Sequence, residues 1–183
     1  MIITIGGTGG SGKSTVAKEV AHKLKFKHYS TGQFMREIAE ERKISLLELS
    51  KIAEQDRSID EELDRWQIEL GRKEDNFVID GRLSFHFIPN AVKIFLDADF
   101  DKRAERIFHD TIRNEHNVSL ESSKEKLKKR EDSERKRYMA YYNLDPSEHR
   151  HYDLVVDTSK IDADKVVDKI IKFLEKKGYG KNK

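Results

Sequence analysis

The sequence predicts a three-layer α/β domain in which a parallel five-stranded sheet is flanked by helices. Three observations carry that expectation. Short, largely apolar runs recur along the chain, as strands buried on both faces require. Helical stretches separate the runs, which argues for right-handed strand–helix–strand units. No internal repeat and no Pro/Gly/Ser linker divides the 183 residues, a length that suits one domain.

The elements follow in order. Ile2–Ile5 is an apolar, β-branched strand, and Lys13–Leu24 is a helix with Val16, Val20 and Leu24 on one side. Phe26–Tyr29 is a shorter, mixed strand. Helices are expected at Phe34–Glu41, Leu46–Glu54 and Glu61–Gly71 with no strand among them, so residues 34–71 read as an insertion standing off the sheet. Asn76–Asp80, Val92–Asp97 and Asp153–Asp157 are apolar cores that end in carboxylates. Helices at Asp101–Ile112, Ser123–Tyr142 and Ala163–Lys176 complete the set. The core of one domain over 1–175 is then 1–33, 72–107 and 121–175, with a basic tail at 176–183.

Composition excludes several classes. Apolar residues make up 36% and charged residues 38%, with 36 Lys+Arg against 34 Asp+Glu. A net charge of +2 is too even for a strongly basic nucleic-acid binder, so no nucleic-acid partner is expected. The absence of Cys removes disulfides, thiolate nucleophiles and Cys-based zinc sites. No apolar run approaches a membrane span, and Met1–Ile5 lacks a secretory signature. A soluble, cytoplasmic, monomeric domain is expected.

The first chemical motif is Gly7-Thr8-Gly9-Gly10-Ser11-Gly12-Lys13-Ser14, which fits G-x-x-x-x-G-K-[ST] between a strand and a helix. Glycines let the backbone curl so that N–H groups converge on phosphate oxygens, and the next helix adds its positive end. Lys13 brings a mobile charge to the β- and γ-phosphates, and the Ser14 hydroxyl suits Mg²⁺. This phosphate-binding loop implies a nucleoside triphosphate with Mg²⁺.

Phosphoryl transfer between two phosphorylated molecules needs arginines converging from different segments. The sequence offers Arg36 in Ser30-Thr31-Gly32-Gln33-Phe34-Met35-Arg36, Arg82 in Asp80-Gly81-Arg82, and a helix carrying Arg130, Glu134 and Arg137. The spacing i, i+4, i+7 places those three on one face, with the two arginines about 10 Å apart along the axis. A switch GTPase is disfavoured because no N-K-x-D signal is present.

Together the loop, Y-S-T-G-x-x-x-R, V-I-D-G-R-L and L-x-x-R-E-x-x-E-x-x-R-Y resemble a nucleoside monophosphate kinase, most like the archaeal-type cytidylate kinase. The resemblance runs through residue 175 or so and implies roles. Gly7, Thr8, Gly9, Gly10, Ser11, Gly12, Lys13 and Ser14, with Thr15, would hold ATP and Mg²⁺. Arg36, in the motif with Ser30 and Gly32, would grip the acceptor phosphate. Arg82, with Gly81, would contact the acceptor nucleotide. Arg130 and Arg137 would clamp the moving phosphoryl group, and Glu134 would meet a ribose or those arginines. Arg106 would lie against ATP at the base of a short lid at about 108–120, and residues 34–71 would bind the acceptor. The implied reaction moves the ATP γ-phosphoryl group to CMP or dCMP. Leu83 stands where bacterial cytidylate kinases commonly carry an Asp that helps read cytosine. The acceptors AMP, UMP and dTMP therefore stay open at this point, as does an ATP-dependent binding module.

Some residues have plainer roles. Asp80 or Asp97 would orient Mg²⁺-bound water while the other caps a turn, and Asp80 is favoured because Gly81-Arg82 follows. Asp60 suits the N-cap of the Glu61–Gly71 helix. Trp66 is expected in the core, Tyr138, Tyr141 and Tyr142 between the last helix and the sheet, and His149 and His151 on the surface.

Overall fold

The computed structural model describes residues 1–110 and 119–179. The strands are β1 (Ile2–Gly7), β2 (Lys27–Ser30), β3 (Phe77–Asp80), β4 (Val92–Asp97) and β5 (Leu154–Asp157). They form one sheet of order β2-β3-β1-β4-β5, and every pairing is parallel. The expected five-stranded parallel sheet is present.

Alternation along β1 explains the layers. Ile3 and Ile5 face α1 (Lys13–Leu24) and α8 (Ala163–Lys176) in a core with Val16, Val20, Ile94, Leu96, Ile170 and Leu174. On the other face Phe77 and Ile79 of β3 pack with Leu70, Ile88 and Ala91. Between them lie α2 (Thr31–Glu41), α3 (Leu46–Ala53), α4 (Ser58–Lys73), the short α5 (Ser84–Phe87), α6 (Phe100–Phe108) and α7 (Leu120–Tyr142). Among the described residues no helix is long and apolar enough to cross a membrane.

Local chemistry moves several boundaries. Helix α2 starts at Thr31, not Phe34, because the Ser30 hydroxyl accepts from Gln33 N at 3.4 Å. Helix α4 starts at Ser58, whose N–H donates to Asp56 Oδ1 at 2.9 Å. Asp60 therefore sits inside the first turn and is buried, not a cap. Helix α6 ends at Phe108, and most of the expected lid, residues 111–118, lies outside the described residues.

The insertion has a core of its own, Ile38, Ala39, Leu49, Ala53 and Ile59. It does not stand wholly off the sheet, because the C-terminal half of α4 brings Leu70 into the β3 cluster. Trp66 is half-buried and stacks on Phe34, with centroids 4.5 Å apart. Tyr141 and Tyr142 reach the insertion instead of the last helix: their hydroxyls donate to Ala53 O at 3.4 Å and Asp64 Oδ2 at 2.5 Å. His151 is not a plain surface residue but stacks on Phe85 at 5.2 Å.

Leu49 is fully buried in the insertion core. Leu49→Ala is expected to cost about 2–5 kcal/mol. Amide exchange should speed up first within 31–73, with the β1, β3 and β4 amides keeping most of their protection.

Candidate active site

The glycine-rich loop leaves β1 and enters α1 with every carbonyl from Gly7 to Gly12 engaged. Gly7 O accepts from Arg82 Nη1 at 3.1 Å, and Thr8 O from Lys13 Nζ at 3.2 Å. Gly9 O accepts from Arg103 Nη1 at 3.3 Å and Gly10 O from Arg106 Nη1 at 3.4 Å. Ser11 O accepts from Thr158 Oγ1 at 3.0 Å, and Gly12 O from Val16 N at 3.0 Å. Partnered carbonyls fix the curl of the loop and satisfy its buried acceptors. Gly10 has φ +80 and a Cβ there would lie 2.5 Å from Arg103 O, whereas Gly12, at φ +88, has open space around it.

Asp80, at the end of β3, is buried behind the loop. Its Oδ2 accepts from Ser14 Oγ at 2.8 Å and Ser30 Oγ at 3.1 Å, and His28 Nε2 lies 2.8 Å from Oδ1. Burial pushes the carboxyl up, but the bonds from His28 and Ser14 and the Lys13 charge outweigh it, so Asp80 titrates below the usual carboxylate range. A buried carboxylate beside a serine hydroxyl is an oxygen donor set that fits Mg²⁺. Asp97 is engaged elsewhere: its Oδ1 accepts from Ala98 N at 2.9 Å, in the manner of a turn former.

Beyond Asp80, Gly81 N donates to Ile5 O at 3.2 Å and seats the next residue beside the loop. Arg82 forms an ion pair with Glu134, and Arg130 Nε lies 3.0 Å from the other Glu134 oxygen. Burial drives the Glu134 carboxyl up, and the charges of Arg82 and Arg130 more than reverse it. Arg137 Nε lies 3.0 Å from Asp60 Oδ2, both buried. Thus Arg82, Arg130 and Arg137 gather along one face of α7.

Arg36 does not join them. Its guanidinium donates to Gln33 Oε1 of its own helix at 3.3 and 3.2 Å. It lines a separate cavity with Ser14, Lys18, His28 and Ser30. Gly32 lines the cavity that holds Arg82, Glu134 and Arg137, between α4 and α7. A third cavity, of about 510 Å³, is bounded by Gly10, Gly12, Ser14, Thr15, Arg106 and Thr158. Arg106 is anchored there, donating to Thr158 Oγ1 and O at 3.0 and 2.6 Å.

The sequence reading missed His28, Arg103, Thr158 and Asp64. Arg103 is buried, pairs with Glu131 and donates to Ala98 O at 3.0 Å. Its signal is a charge on the face of α6 that also carries Ala104 and Ile107. His28 shares a strand face with Ser30, which is opposite Asp80 across the β2–β3 register.

The match of this geometry to known proteins is broad. A family model, the cytidylate kinase-like family, matches residues 2–160. The chain belongs to that family. It is a P-loop kinase. The cytidylate kinase of Methanocaldococcus jannaschii is 42% identical over 91% of this chain and 93% of its own. That of Methanobrevibacter smithii is 37% identical over 96% and 99%. The shikimate kinase of Bacteroides thetaiotaomicron shares the kinase's fold, with a TM-score of 0.67, 14% identity and coverage of 96% and 98%.

Two expectations follow. Gly10→Ala should weaken nucleoside triphosphate binding and lower the melting temperature more than Gly12→Ala, because only the former adds a clash to the backbone strain. Titration calorimetry and thermal unfolding check this. Glu134 titrates below its ordinary value of 4.5, so its stabilisation is present above that pH and is lost as pH falls through the depressed value. The melting-temperature gap between the native protein and Glu134→Gln should be wide at neutral pH and close in acid.

Proposed function

We propose that this kinase transfers the γ-phosphoryl group of ATP to CMP or dCMP, giving ADP and the diphosphate. The observation that carries the reading is the position of Arg82. It donates to Gly7 O of the loop at 3.1 Å and also lines the cavity between α4 and α7. One guanidinium thus borders both phosphate sites.

ATP is held with its phosphates in the loop from Gly7 to Ser14 and its nucleoside toward the cavity lined by Thr15, Arg106 and Thr158. The helix end and Lys13 attract the β- and γ-phosphates. Ser14 would hold Mg²⁺, with Asp80 fixing the hydroxyl and an ordered water. The metal, when bound, neutralises charge on the triphosphate oxygens. The acceptor lies between α4 and α7, its phosphate toward Arg82 and Arg137. Gly32 borders that cavity, Gly81 seats Arg82 beside the loop, and Ser30 holds Asp80 in place. Arg36 stands by Ser14 and Ser30, where a shift of α2 would bring it to the acceptor phosphate.

No general base is needed, because an acceptor phosphate oxygen is already a nucleophile. Lys13, Arg82 and Arg130 neutralise the charge that spreads over the moving group, and Glu134 keeps two of those cations in place beforehand. Arg137 holds the acceptor end.

Turnover with CMP, dCMP, AMP, UMP and dTMP, read by ADP release, tests the reading. CMP and dCMP should lead, and an enzyme that clearly prefers AMP would overturn it. Lys13→Ala and Arg130→Ala should each lower kcat about 100- to 1,000-fold with a smaller change in acceptor KM. Near-unchanged turnover would remove their assigned roles.

A further inference from the structure

The inner stripe of α4 is chemically unusual. Asp60, Leu63, Asp64 and Gln67, spaced i, i+3, i+4 and i+7, all border the cavity between α4 and α7. A helix normally presents apolar residues in such a stripe. Here three of the four are polar.

Gln67 is committed by hydrogen bonds and Asp60 by a facing guanidinium, although that ion pair completes no hydrogen bond. Gln67 Oε1 accepts from Ser84 Oγ at 2.7 Å, and its Nε2 donates to Leu63 O at 3.4 Å. Asp60 is set against Arg137. Asp64 differs. Among the described residues its one hydrogen-bond donor is the Tyr142 hydroxyl, at 2.5 Å on Oδ2. A carboxylate has about four acceptor positions, so most of this one's capacity is unused. Burial raises its pKa to about 6, and neither the Tyr142 bond nor the Arg57 charge offsets it. Such a group lacks a donor.

Position along α7 says which part of a ligand would supply it. Glu134 meets Arg82 beside the loop, Arg137 meets Asp60 farther on, and Tyr142 meets Asp64 beyond that. From 134 to 142 the helix rises about 12 Å, a reach comparable to that of a nucleoside monophosphate from phosphate to base edge. Cations gather at the loop end and a donor-poor carboxylate lies at the other. Met35, Leu46, Leu63 and Leu83 supply apolar walls for a planar ring.

We propose that the Asp64 carboxylate reads the acceptor base by accepting a hydrogen bond from the amino group of cytosine. The inference rests on the kinase reading above and deepens it. Uracil and thymine carry a carbonyl oxygen where cytosine carries the amino group, and an oxygen facing a carboxylate is repelled and leaves it unpaired.

The experiment compares CMP with its 4-deamino analogue, which has hydrogen in place of the amino group and adds no bulk, on the native enzyme and on Asp64→Ala. On the native enzyme the analogue should lose about tenfold or more in kcat/KM, chiefly through KM, with the KM for ATP unchanged. On Asp64→Ala that penalty should shrink to about twofold or less. An analogue used as well as CMP by the native enzyme would overturn the proposal, and so would a penalty that persists undiminished in the variant. If Asp64→Ala does not fold, the same comparison on Asp64→Leu, which keeps the volume and removes the acceptor, decides, and an undiminished penalty there overturns the proposal. Native enzyme that phosphorylates no cytidine nucleotide would instead refute the kinase reading itself.

Discussion

A loop that turns its N–H groups toward an anion must turn its carbonyls away from it, and carbonyls sent into the protein need donors. The rest of this site is built around that constraint. Six consecutive carbonyls, Gly7 to Gly12, each have a donor. Three of the donors are guanidinium groups from outside the loop, Arg82 after β3 and Arg103 and Arg106 from α6. Arginine suits this work because it stays charged and its planar fork satisfies several acceptors at once. Arg103 reaches Ala98 O, Gly9 O and Glu131 together. The ends of β3 and β4 thereby fix the shape of the loop through the segments that follow them.

Four of the site's arginines are matched by carboxylates before any anion arrives, while Arg106 is held by Thr158. Glu134 takes Arg82 and Arg130, Asp60 takes Arg137, and Glu131 takes Arg103. A buried guanidinium without a counter-charge would destabilise the fold severely, so the largely buried Arg82, Arg103 and Arg137 are each paired. The pairing also orders the side chains in advance, which lowers the entropy lost when two polyanions are gripped. The Asp60–Arg137 pair is the exception in quality. The two atoms are 3.0 Å apart, yet neither Asp60 Oδ2 nor Arg137 Nε completes a hydrogen bond. Arg137 is therefore the cation of the group whose carboxylate partner holds it with least directionality.

Much of this architecture is legible in the chain, and the parts that are not fail for identifiable reasons. Apolar runs mark β1, β3, β4 and β5 because a sheet covered on both faces admits few polar residues, whereas the edge strand β2 is mixed. The loop is legible because its glycines, Lys13 and Ser14 are adjacent in sequence. Helices α2 and α4 start earlier than their apolar pattern shows, behind the Ser30 cap and the turn held by Asp56. The role of His28 depends on the β2–β3 register, which periodicity does not supply. Arg103 hides because a buried arginine looks like any other charge until its partners are known. Asp60 shows the opposite error, since a short carboxylate near a helix start invites a capping role, and only the fold brings Arg137 against it. The motif groups Arg36 with the other arginines, but its side chain lies on the part of α2 that faces Ser14 and Ser30 and donates to Gln33 there.

Helix α7 connects these groups mechanically. Along one length it meets α6 through Glu131, the loop through Glu134 and Arg82, and the insertion through Arg137 and Tyr142. Its contacts with the loop are charge-assisted and share carboxylates, so they are the stronger set. Among the described residues its polar contacts with α4 are one misaligned ion pair and one tyrosine hydroxyl, and the Tyr141 and Ser133 hydroxyls reach Ala53 and Glu54 at the end of α3. Separation of α4 from α7 breaks both of the α4 contacts and none of those with the loop. Leu70 meanwhile holds the far end of α4 in the β3 cluster. The α4–α7 face is thus closed by the weaker of these two sets, and a local opening there leaves Glu134, Arg82 and Arg130 in place.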